Sequence, residues 1–461
     1  MKPKDTRKLF GTDGIRGEAG KFPLEPSTIR TIGSSLARHL AERAGGRAPR
    51  IVTGRDTRES GDWIERDLIN GALSAGAEVQ SAGIITTPGV AFLTRVLPAD
   101  AGVVISASHN PYHDNGIKVF DPSGRKLDDQ TERRIEKDIA SDAGQDVTEA
   151  SQSPRFDDQR SPELQARYLD YLANDIGHDL SLKNFTIVVD CANGAAYELA
   201  PELFRRLGAR TIALNNQPDG RNINLDCGSL HTRALQKEVL DQHADLGVAF
   251  DGDADRALFV DANGKLIDGD ATIWVMANYL KSRGELKGDA VVATVMSNIG
   301  LEVALRLRGI KLVRTDVGDK YVLDELISSG LTIGGEQSGH LIFPNLSLAG
   351  DGMITTLCLL RAVLDEKRPL AALTAGFQRY PQVLVNVRVR EKRPFEQLAG
   401  LQLLARRIEE ELGDRGRLLL RYSGTEPLAR VMIEGPSESE VRANAAALAE
   451  AIEAELGVPG Y

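Results

Sequence analysis

Short runs of β-branched and apolar residues alternate with amphipathic helical patterns along most of the chain, and nothing else in the sequence limits the fold as tightly. RIVT at 50–53, AGVVI at 101–105, FTIVVD at 185–190, LGVAF at 246–250, AVVAT at 290–294 and KLVRT at 311–315 read as strands. Their contiguous β-branched runs suit strands covered on both faces. Helical patterns fall between them. Ile64, Leu68 and Ala72 recur at i, i+4 spacing beside Ile69 and Leu73, and a second helix is expected over 196–206. Strand and helix in alternation predict α/β layers with mostly parallel sheets.

Three joints interrupt this pattern. Residues 141–162 are polar without an apolar period and read as a linker. DANG at 261–264 has the composition of a tight hairpin turn after a strand at 257–260. Near 366–382 the pattern itself changes: QVLVNVRVR at 382–390 alternates as a half-exposed strand does, and so do 416–420 and 429–433. A last helix opens on Ser437 and Glu440 as a capping box. It carries Val441, Ala445, Leu448, Ile452 and Leu456 on one face and meets Gly457. The expected division is three α/β domains, at 1–160, 161–265 and 266–378, and a smaller α+β domain at 379–461.

Composition narrows the function. The 461 residues are about three domains' worth of chain. With 66 acidic and 56 basic side chains the net charge is −10, and no basic block offsets it, which argues against a nucleic-acid partner. No apolar run is long enough to span a membrane, and the N-terminal MKPKDTRKLFGTDG lacks the apolar core of a signal peptide. Cys191, Cys227 and Cys358 show neither CxxC spacing nor a disulfide framework, which suits a reducing compartment. A cytoplasmic location is expected.

DGDADR, Asp251 to Arg256, is the most informative local signal. Asp251, Asp253 and Asp255 directly follow the strand LGVAF, and strand ends are where α/β sheets bind ligands. Crowded carboxylates repel one another unless a hard cation neutralises them, so a Mg²⁺ site is natural. An EF-hand fails, because Arg256 stands where its loop needs Gly and Ala262 where it needs Glu. A phosphatase using Asp251 as nucleophile and a solvated acidic turn remain open. The segment ISASHNPYHDNGIKVF, 105–120, offers Ser106 and Ser108 as nucleophiles beside His109, or else a turn that only caps a helix. His113 reads as a surface turn residue. Lys118 is placed in a strand after an Asn115-Gly116 turn, where it meets an anionic substrate or faces solvent. In LLLRYSGTEPLARVMIEG, 418–435, the backbone of Ser423-Gly424-Thr425 makes an anion nest flanked by Arg421 and Arg430, or a hairpin with incidental arginines. GTDGIRG, 11–17, holds Asp13 and Arg16 in a glycine-rich turn, and GGEQSGH, 334–340, offers Glu336, Ser338 and His340. Neither has the spacing of a P-loop or of GxGxxG, and nothing resembles an ATP site.

GTDGIRG, SASHNPYHDNGIK, DGDADR, GEQSGH and RYSGTEPLAR occur in this order between residues 11 and 430, and together they resemble the α-D-phosphohexomutases. GEQSGH, SGTEP and NINLDCGS at 222–229 are most similar to the bacterial members that act on glucosamine phosphates. Leu230-His231-Thr232 and Tyr422 depart from the wording usual there. The resemblance implies three similar mixed α/β domains and a C-terminal α+β domain around a central cleft. It implies that Ser108, not Ser106, carries a phosphoryl group and that Ser108, Asp251, Asp253 and Asp255 hold one Mg²⁺ per chain. Glu336 and Ser338 would bind sugar hydroxyls. Arg421, Ser423, Gly424, Thr425 and Arg430 would grip the phosphate that is not reacting. Lys118, first as general acid/base, with Arg16, His109 and His340, would move protons and offset charge. The implied reaction interconverts glucosamine 6-phosphate and glucosamine 1-phosphate through a sugar 1,6-bisphosphate, with neutral hexose phosphates as the alternative substrates. A small-molecule sugar phosphate would be the partner, without nucleic acid or membrane, and a homodimer is the family expectation.

Overall fold

The computed structural model describes residues 8–11, 13–45, 47–141, 160–423 and 427–458. The chain divides into two compact units, Met1–Val295 with Arg314–Leu373 and Met296–Val313 with Thr374–Tyr461. Most of the expected linker at 141–162 lies outside the described residues. Helix Asp129–Ser141 precedes it and helix Ser161–Asp170 follows.

The first unit carries three sheets. Strands β1 (Phe10–Gly11), β2 (Gly14–Glu18), β3 (Arg50–Arg55), β4 (Glu78–Ile84), β5 (Ala101–Ile105) and β6 (Asp114–Phe120) stand in the order β1-β2-β6-β5-β3-β4. Helices Pro26–Arg43, Gly61–Ser74 and Asp129–Ser141 add Ile29, Ile32, Leu36, Ile64, Leu68 and Ile135 to its core beside Ile51, Val103, Ile105 and Ile117. The second sheet contains β7 (Thr186–Asp190), β8 (Arg210–Leu214), β9 (Leu246–Phe250), β10 (Ala257–Asp261) and β11 (Leu266–Ile267), ordered β11-β10-β9-β7-β8. The DANG turn closes β10 onto β11 as expected, with Asp261 N–H bonded to Lys265 O at 3.0 Å. In the third sheet, β12 (Ala290–Thr294) and β14 (Gly334–Gly335) are parallel, and β15 (Leu341–Ile342) returns antiparallel to β14. A further strand, β13 (Lys311–Thr315), lies between β12 and β14 in sequence. The second predicted helix starts later than expected, at Leu199–Arg206.

The sheets are mixed, which corrects the expectation of mostly parallel pairing. Strand β3 runs parallel to β4 and β5, and β7 to β8 and β9, but β5–β6 and β9–β10 are antiparallel. The connections decide this. A parallel return needs a crossover of about a dozen residues or more, and the loops at 106–113 and 251–256 are too short to make one. Those two loops are SASHNPYH and DGDADR, so the segments singled out for chemistry also set strand direction. Asn115-Gly116 is likewise not a turn but the interior of β6.

One buried carboxyl makes the stability of this unit depend on pH. Asp351 caps helix Gly352–Glu366 by accepting the N–H groups of Met353 at 2.9 Å and Ile354 at 3.0 Å, and Tyr168 O–H donates to it at 2.7 Å. Burial pushes the carboxyl up to about 6, although Tyr168 and the two amides favour the ionised form. The folded value thus lies above the unfolded value of about 4. The stability it contributes is complete below that unfolded value and is lost as pH rises through about 6. Asp351→Asn keeps the oxygen that accepts the two amides, turns an N–H toward the Tyr168 hydroxyl oxygen and removes the charge. It should gain about 1–3 kcal/mol relative to wild type at pH 8, and much less at pH 4. Urea titrations at both pH values check this, and a difference that does not change with pH refutes it.

The second unit is built on β16 (Gln382–Arg388), β17 (Arg417–Tyr422) and β18 (Leu428–Glu434), antiparallel in the order β16-β18-β17. Helices Ala399–Leu412 and Glu438–Leu456 cover it, burying Leu401, Ile408, Leu448 and Ile452 against Val387, Val431 and Ile433. Ser437 caps the last helix through Glu440 N–H at 3.4 Å, and Val441, Ala445, Leu448, Ile452 and Leu456 are buried, as the spacing predicts. Residues 296–313 belong here because Glu434 is fully buried and accepts from Ile299 N–H and the Asn298 amide, each at 3.2 Å. Arg417 pairs with the same carboxylate at 2.9 Å. Among the described residues no helix is long and apolar enough to cross a membrane.

Candidate active site

Strand β5 is buried along its whole length and delivers Ser106 and Ser108 just past its carboxyl end. Ser108 takes a left-handed backbone, φ +52°, which costs a non-glycine residue about 1 kcal/mol or more and persists only where neighbours enforce it. Its N–H donates to Ser106 Oγ at 3.0 Å, and Ser106 in turn donates to Asp56 at 2.7 Å. Arg58, itself buried, pairs with Asp56 at 2.9 Å and donates to the carbonyls of Ser108 and Asn110, both at 2.9 Å, and of Pro111. The turn is therefore wired from behind, and it points the Ser108 hydroxyl at the DGDADR loop.

Ser108 Oγ donates to Asp251 Oδ2 at 2.5 Å, and Asp251, Asp253 and Asp255 bring oxygens within 4.8 Å of one another. All three aspartates are buried. Burial pushes the Asp251 carboxyl well up, and repulsion from Asp255 and Asp253 adds to it. Burial works the same way on Asp255, but Lys118, His340 and Arg256 outweigh it and hold that carboxyl well below the usual range. Buried Asp253 Oδ1 and Asp255 Oδ1 have no hydrogen-bond partner among the described residues. Unsatisfied buried anionic oxygens beside a serine hydroxyl fit a hard divalent cation, whose preferred ligands are oxygens. An acidic turn facing solvent does not fit, since none of the three carboxylates is exposed.

Lys118, which the sequence left between substrate and solvent, lies in β6 and is 1% exposed. Its ammonium is 2.7 Å from Asp253, 3.0 Å from Asp13 and 3.6 Å from Asp255. Burial opposes its charge, but the three carboxylates outweigh that and raise its pKa. Asp13 also pairs with Arg16 and, at 2.7 Å, with Lys126, which binds Asp319 at 2.6 Å. The two candidate histidines are held in opposite states. His109 Nδ1 lies 3.3 Å from Ser108 Oγ, and burial together with Arg256 and Arg16 pushes it down to about 4, so it is neutral at pH 7. Burial also disfavours charge on His340, but Asp255, Asp319 and Glu336 raise it to about 9, so it is an imidazolium. The pair offers one neutral ring beside the hydroxyl and one cationic donor beside the acidic cluster.

The hairpin β14–β15 carries GGEQSGH. Glu336 accepts from Gly318 N–H at 3.2 Å and from Ser338 Oγ–H at 3.3 Å. A cleft of about 450 Å³ is lined by Arg16, His109, Asp255, Arg256, Glu336 and His340. The structure thus gathers Arg16, Ser108, His109, Lys118, the three aspartates, Glu336, Ser338 and His340 into one region, and His113 is exposed as expected. Within the second unit, Arg421 and Arg430 are cross-strand partners at the end of the β17–β18 hairpin, and Arg430 donates to Ser423 Oγ at 3.4 Å. Gly424 and Thr425 lie outside the described residues. Sequence reasoning missed Lys126, Asp319, Arg58 and Thr87, which bonds Asp253 at 2.5 Å. Apart from Arg58's pairing with nearby Asp56, their contacts in the site run to residues far along the chain, and no local pattern marks them.

Known proteins share this arrangement of segments. Four sequence models match in succession, described as phosphoglucomutase/phosphomannomutase α/β/α domain I at residues 7–146, domain II at 166–264, domain III at 268–380 and C-terminal domain at 384–451. The chain is 48% identical to the phosphoglucosamine mutase of Solibacter usitatus, with 98% of this chain and 99% of that protein aligned. The phosphoglucosamine mutase of Myxococcus xanthus is 44% identical, over 99% of this chain and all of that one. In three dimensions a Burkholderia thailandensis protein of the phosphoglucomutase/phosphomannomutase family matches with a TM-score of 0.77 at 24% identity, covering 98% and 100% of the two chains.

Proposed function

Because this chain belongs to the phosphoglucomutase/phosphomannomutase family, we propose that it interconverts glucosamine 6-phosphate and glucosamine 1-phosphate, using Ser108 as the phosphoryl carrier. The observation that carries the reading is the 2.5 Å bond between Ser108 Oγ and Asp251 inside a buried three-carboxylate cluster. That pairing suits a serine that must hold a charged phosphoryl group and release it again. The full-length likeness to phosphoglucosamine mutases supports the amino sugar over neutral hexoses.

The cycle balances as two transfers between oxygens. The phosphoryl group leaves Ser108 Oγ for the C1 hydroxyl of glucosamine 6-phosphate, breaking one P–O bond and forming another, and the hydroxyl proton passes to the site. The resulting 1,6-bisphosphate turns around in the cleft and returns its 6-phosphoryl group to Ser108. Glucosamine 1-phosphate then leaves. Asp251, Asp253, Asp255 and the seryl oxygen would hold Mg²⁺, which when bound offsets the charge of the transferring group. Lys118, kept charged by Asp13, Asp253 and Asp255, would face phosphoryl oxygens as a cation and would serve as the acid that donates a proton, not the base that takes one. His340, 3.7 Å from Asp255, would donate beside the acidic cluster, and Arg16 and His109 line the same cleft, His109 at 3.3 Å from Ser108 Oγ. Glu336 and Ser338 accept and donate hydrogen bonds to sugar hydroxyls. Arg421, Ser423, Gly424, Thr425 and Arg430 serve as the binders of a phosphate. The domain division at 160, 265 and 378 remains part of the proposal, supported by the spans of the four family matches.

The test is kcat/KM with Mg²⁺ and trace sugar 1,6-bisphosphate on glucosamine 6-phosphate, glucose 6-phosphate and mannose 6-phosphate. A strong preference for the amino sugar is expected. Equal or better turnover of the neutral sugars overturns the substrate but keeps the chemistry. Free phosphate without isomerisation overturns the mutase reading.

A further inference from the structure

The motif NINLDCGS at 222–229 has no part in the cycle above, yet its Asn224 is buried against the back of the Ser108 turn. The Asn224 side-chain amide donates to Ser108 O at 2.9 Å and to Asn110 O at 3.2 Å. These are the two carbonyls that Arg58 also holds, each at 2.9 Å. Four hydrogen bonds from two nitrogens, Arg58 Nη2 and Asn224 Nδ2, therefore close as a clamp on the carbonyls of the two residues that flank His109. Asn224 is itself left-handed, φ +59°, and its N–H is tied to Ala192 O at 2.9 Å, so the amide is aimed by its own backbone. The metal loop meets the clamp as well. A Cβ on Gly252 would lie 2.6 Å from Ser108 O and 2.9 Å from Asn224 Nδ2, which only glycine avoids.

We propose that Asn224 is a positioning residue for the phosphoryl carrier: with Arg58 it locks the carbonyls of Ser108 and Asn110 and so keeps the strained Ser108 turn aimed at Asp251. A serine at φ +52° relaxes toward ordinary backbone unless its peptide groups are held. Relaxation would swing Oγ away from Asp251, and a misplacement of about 1 Å can cost about a hundredfold in rate. Sugar contacts come from Glu336 and Ser338, elsewhere in the cleft, so substrate binding should not sense the clamp. The proposal rests on the phosphoserine reading of the site.

Asn224→Gly isolates the amide, because glycine adopts the left-handed backbone freely and loses only the side chain. The measurements are kcat and KM for glucosamine 6-phosphate, the rate of Ser108 phosphorylation by glucose 1,6-bisphosphate followed by intact-protein mass, and Tm. The expected result is a fall of about tenfold to a hundredfold in kcat and in the phosphorylation rate, with KM within about twofold of wild type. Both rates within about twofold of wild type overturn the proposal, as does a loss confined to KM. Should Asn224→Gly not fold, Asn224→Asp keeps the size and the left-handed preference but turns an acceptor toward the two carbonyls. It must then show the same kcat-only loss, and normal turnover overturns the proposal. If wild-type protein takes no label on Ser108, the functional reading itself has failed, which is a distinct result.

Discussion

Ser108→Ala should lose about 10⁴-fold or more in mutase turnover while remaining folded. The hydroxyl is the only atom group removed, and it is the one that would carry the phosphoryl group. Structurally the change is small. The turn is held through main-chain atoms, by Arg58 and Asn224 on Ser108 O and by Ser106 on Ser108 N–H, and all of these contacts survive. Alanine is no worse than serine at φ +52°, since both carry a Cβ. What is lost is the 2.5 Å hydrogen bond to Asp251 and the 3.3 Å contact with His109 Nδ1, a net cost of about 1 kcal/mol for an ordinary hydrogen bond. The measurement is turnover together with peptide mass spectrometry after incubation with glucose 1,6-bisphosphate. Wild type should carry the label on Ser108 and the variant should carry none. A phosphatase using Asp251 as nucleophile predicts the reverse: hydrolysis that survives Ser108→Ala, with the label on the aspartate. The geometry disfavours it, because Asp251 Oδ2 is engaged by Ser108 and its other oxygen takes the Arg256 N–H at 3.2 Å.

Strand identity and strand direction were not equally readable. AGVVI and LGVAF mark β5 and β9 because an unbroken apolar run fits no exposed element, and both strands are buried throughout. Such runs say that a strand is covered, not which way its neighbour runs. Direction follows from the length of the connection, and the two short polar loops after β5 and β9 force antiparallel returns. Asn115-Gly116 shows the same limit from another side. The pair is a common hairpin signal, but here Asn115 reaches Ser60 Oγ at 2.9 Å, and Gly116 is required by close backbone approach, since a Cβ would lie 2.6 Å from Ser106 O. Composition cannot separate a glycine needed for a turn from one needed for contact. In the site, Asp251, Asp253 and Asp255 declared themselves by crowding within one loop. Lys118 did not, because what fixes its state is Asp13 from one hairpin and Asp253 and Asp255 from another sheet.

That burial makes Lys118→Met the second large effect, and one that separates two tasks. Methionine nearly fills the volume of the lysine stem but leaves Asp13, Asp253 and Asp255 facing one another without the cation that lies within 2.7–3.6 Å of all three. Removing one partner from a buried ion-paired group costs about 3–5 kcal/mol, because the remaining charges stay desolvated. Without metal the variant should therefore unfold at clearly lower temperature than wild type. Two of the stranded carboxylates are the proposed metal ligands, so Mg²⁺ supplies the missing charge. The deficit should shrink as Mg²⁺ is titrated in, and the variant should gain more Tm from the metal than wild type does. Turnover is the discriminating readout. If Lys118 moves a proton or meets the transferring group, kcat stays about 10²- to 10⁴-fold down even when saturating Mg²⁺ has restored stability. If the ammonium only neutralises the cluster, metal restores stability and turnover together. A variant with wild-type kcat at saturating Mg²⁺ would thus remove Lys118 from the chemistry and leave it as a counterion that holds three carboxylates together until the metal arrives.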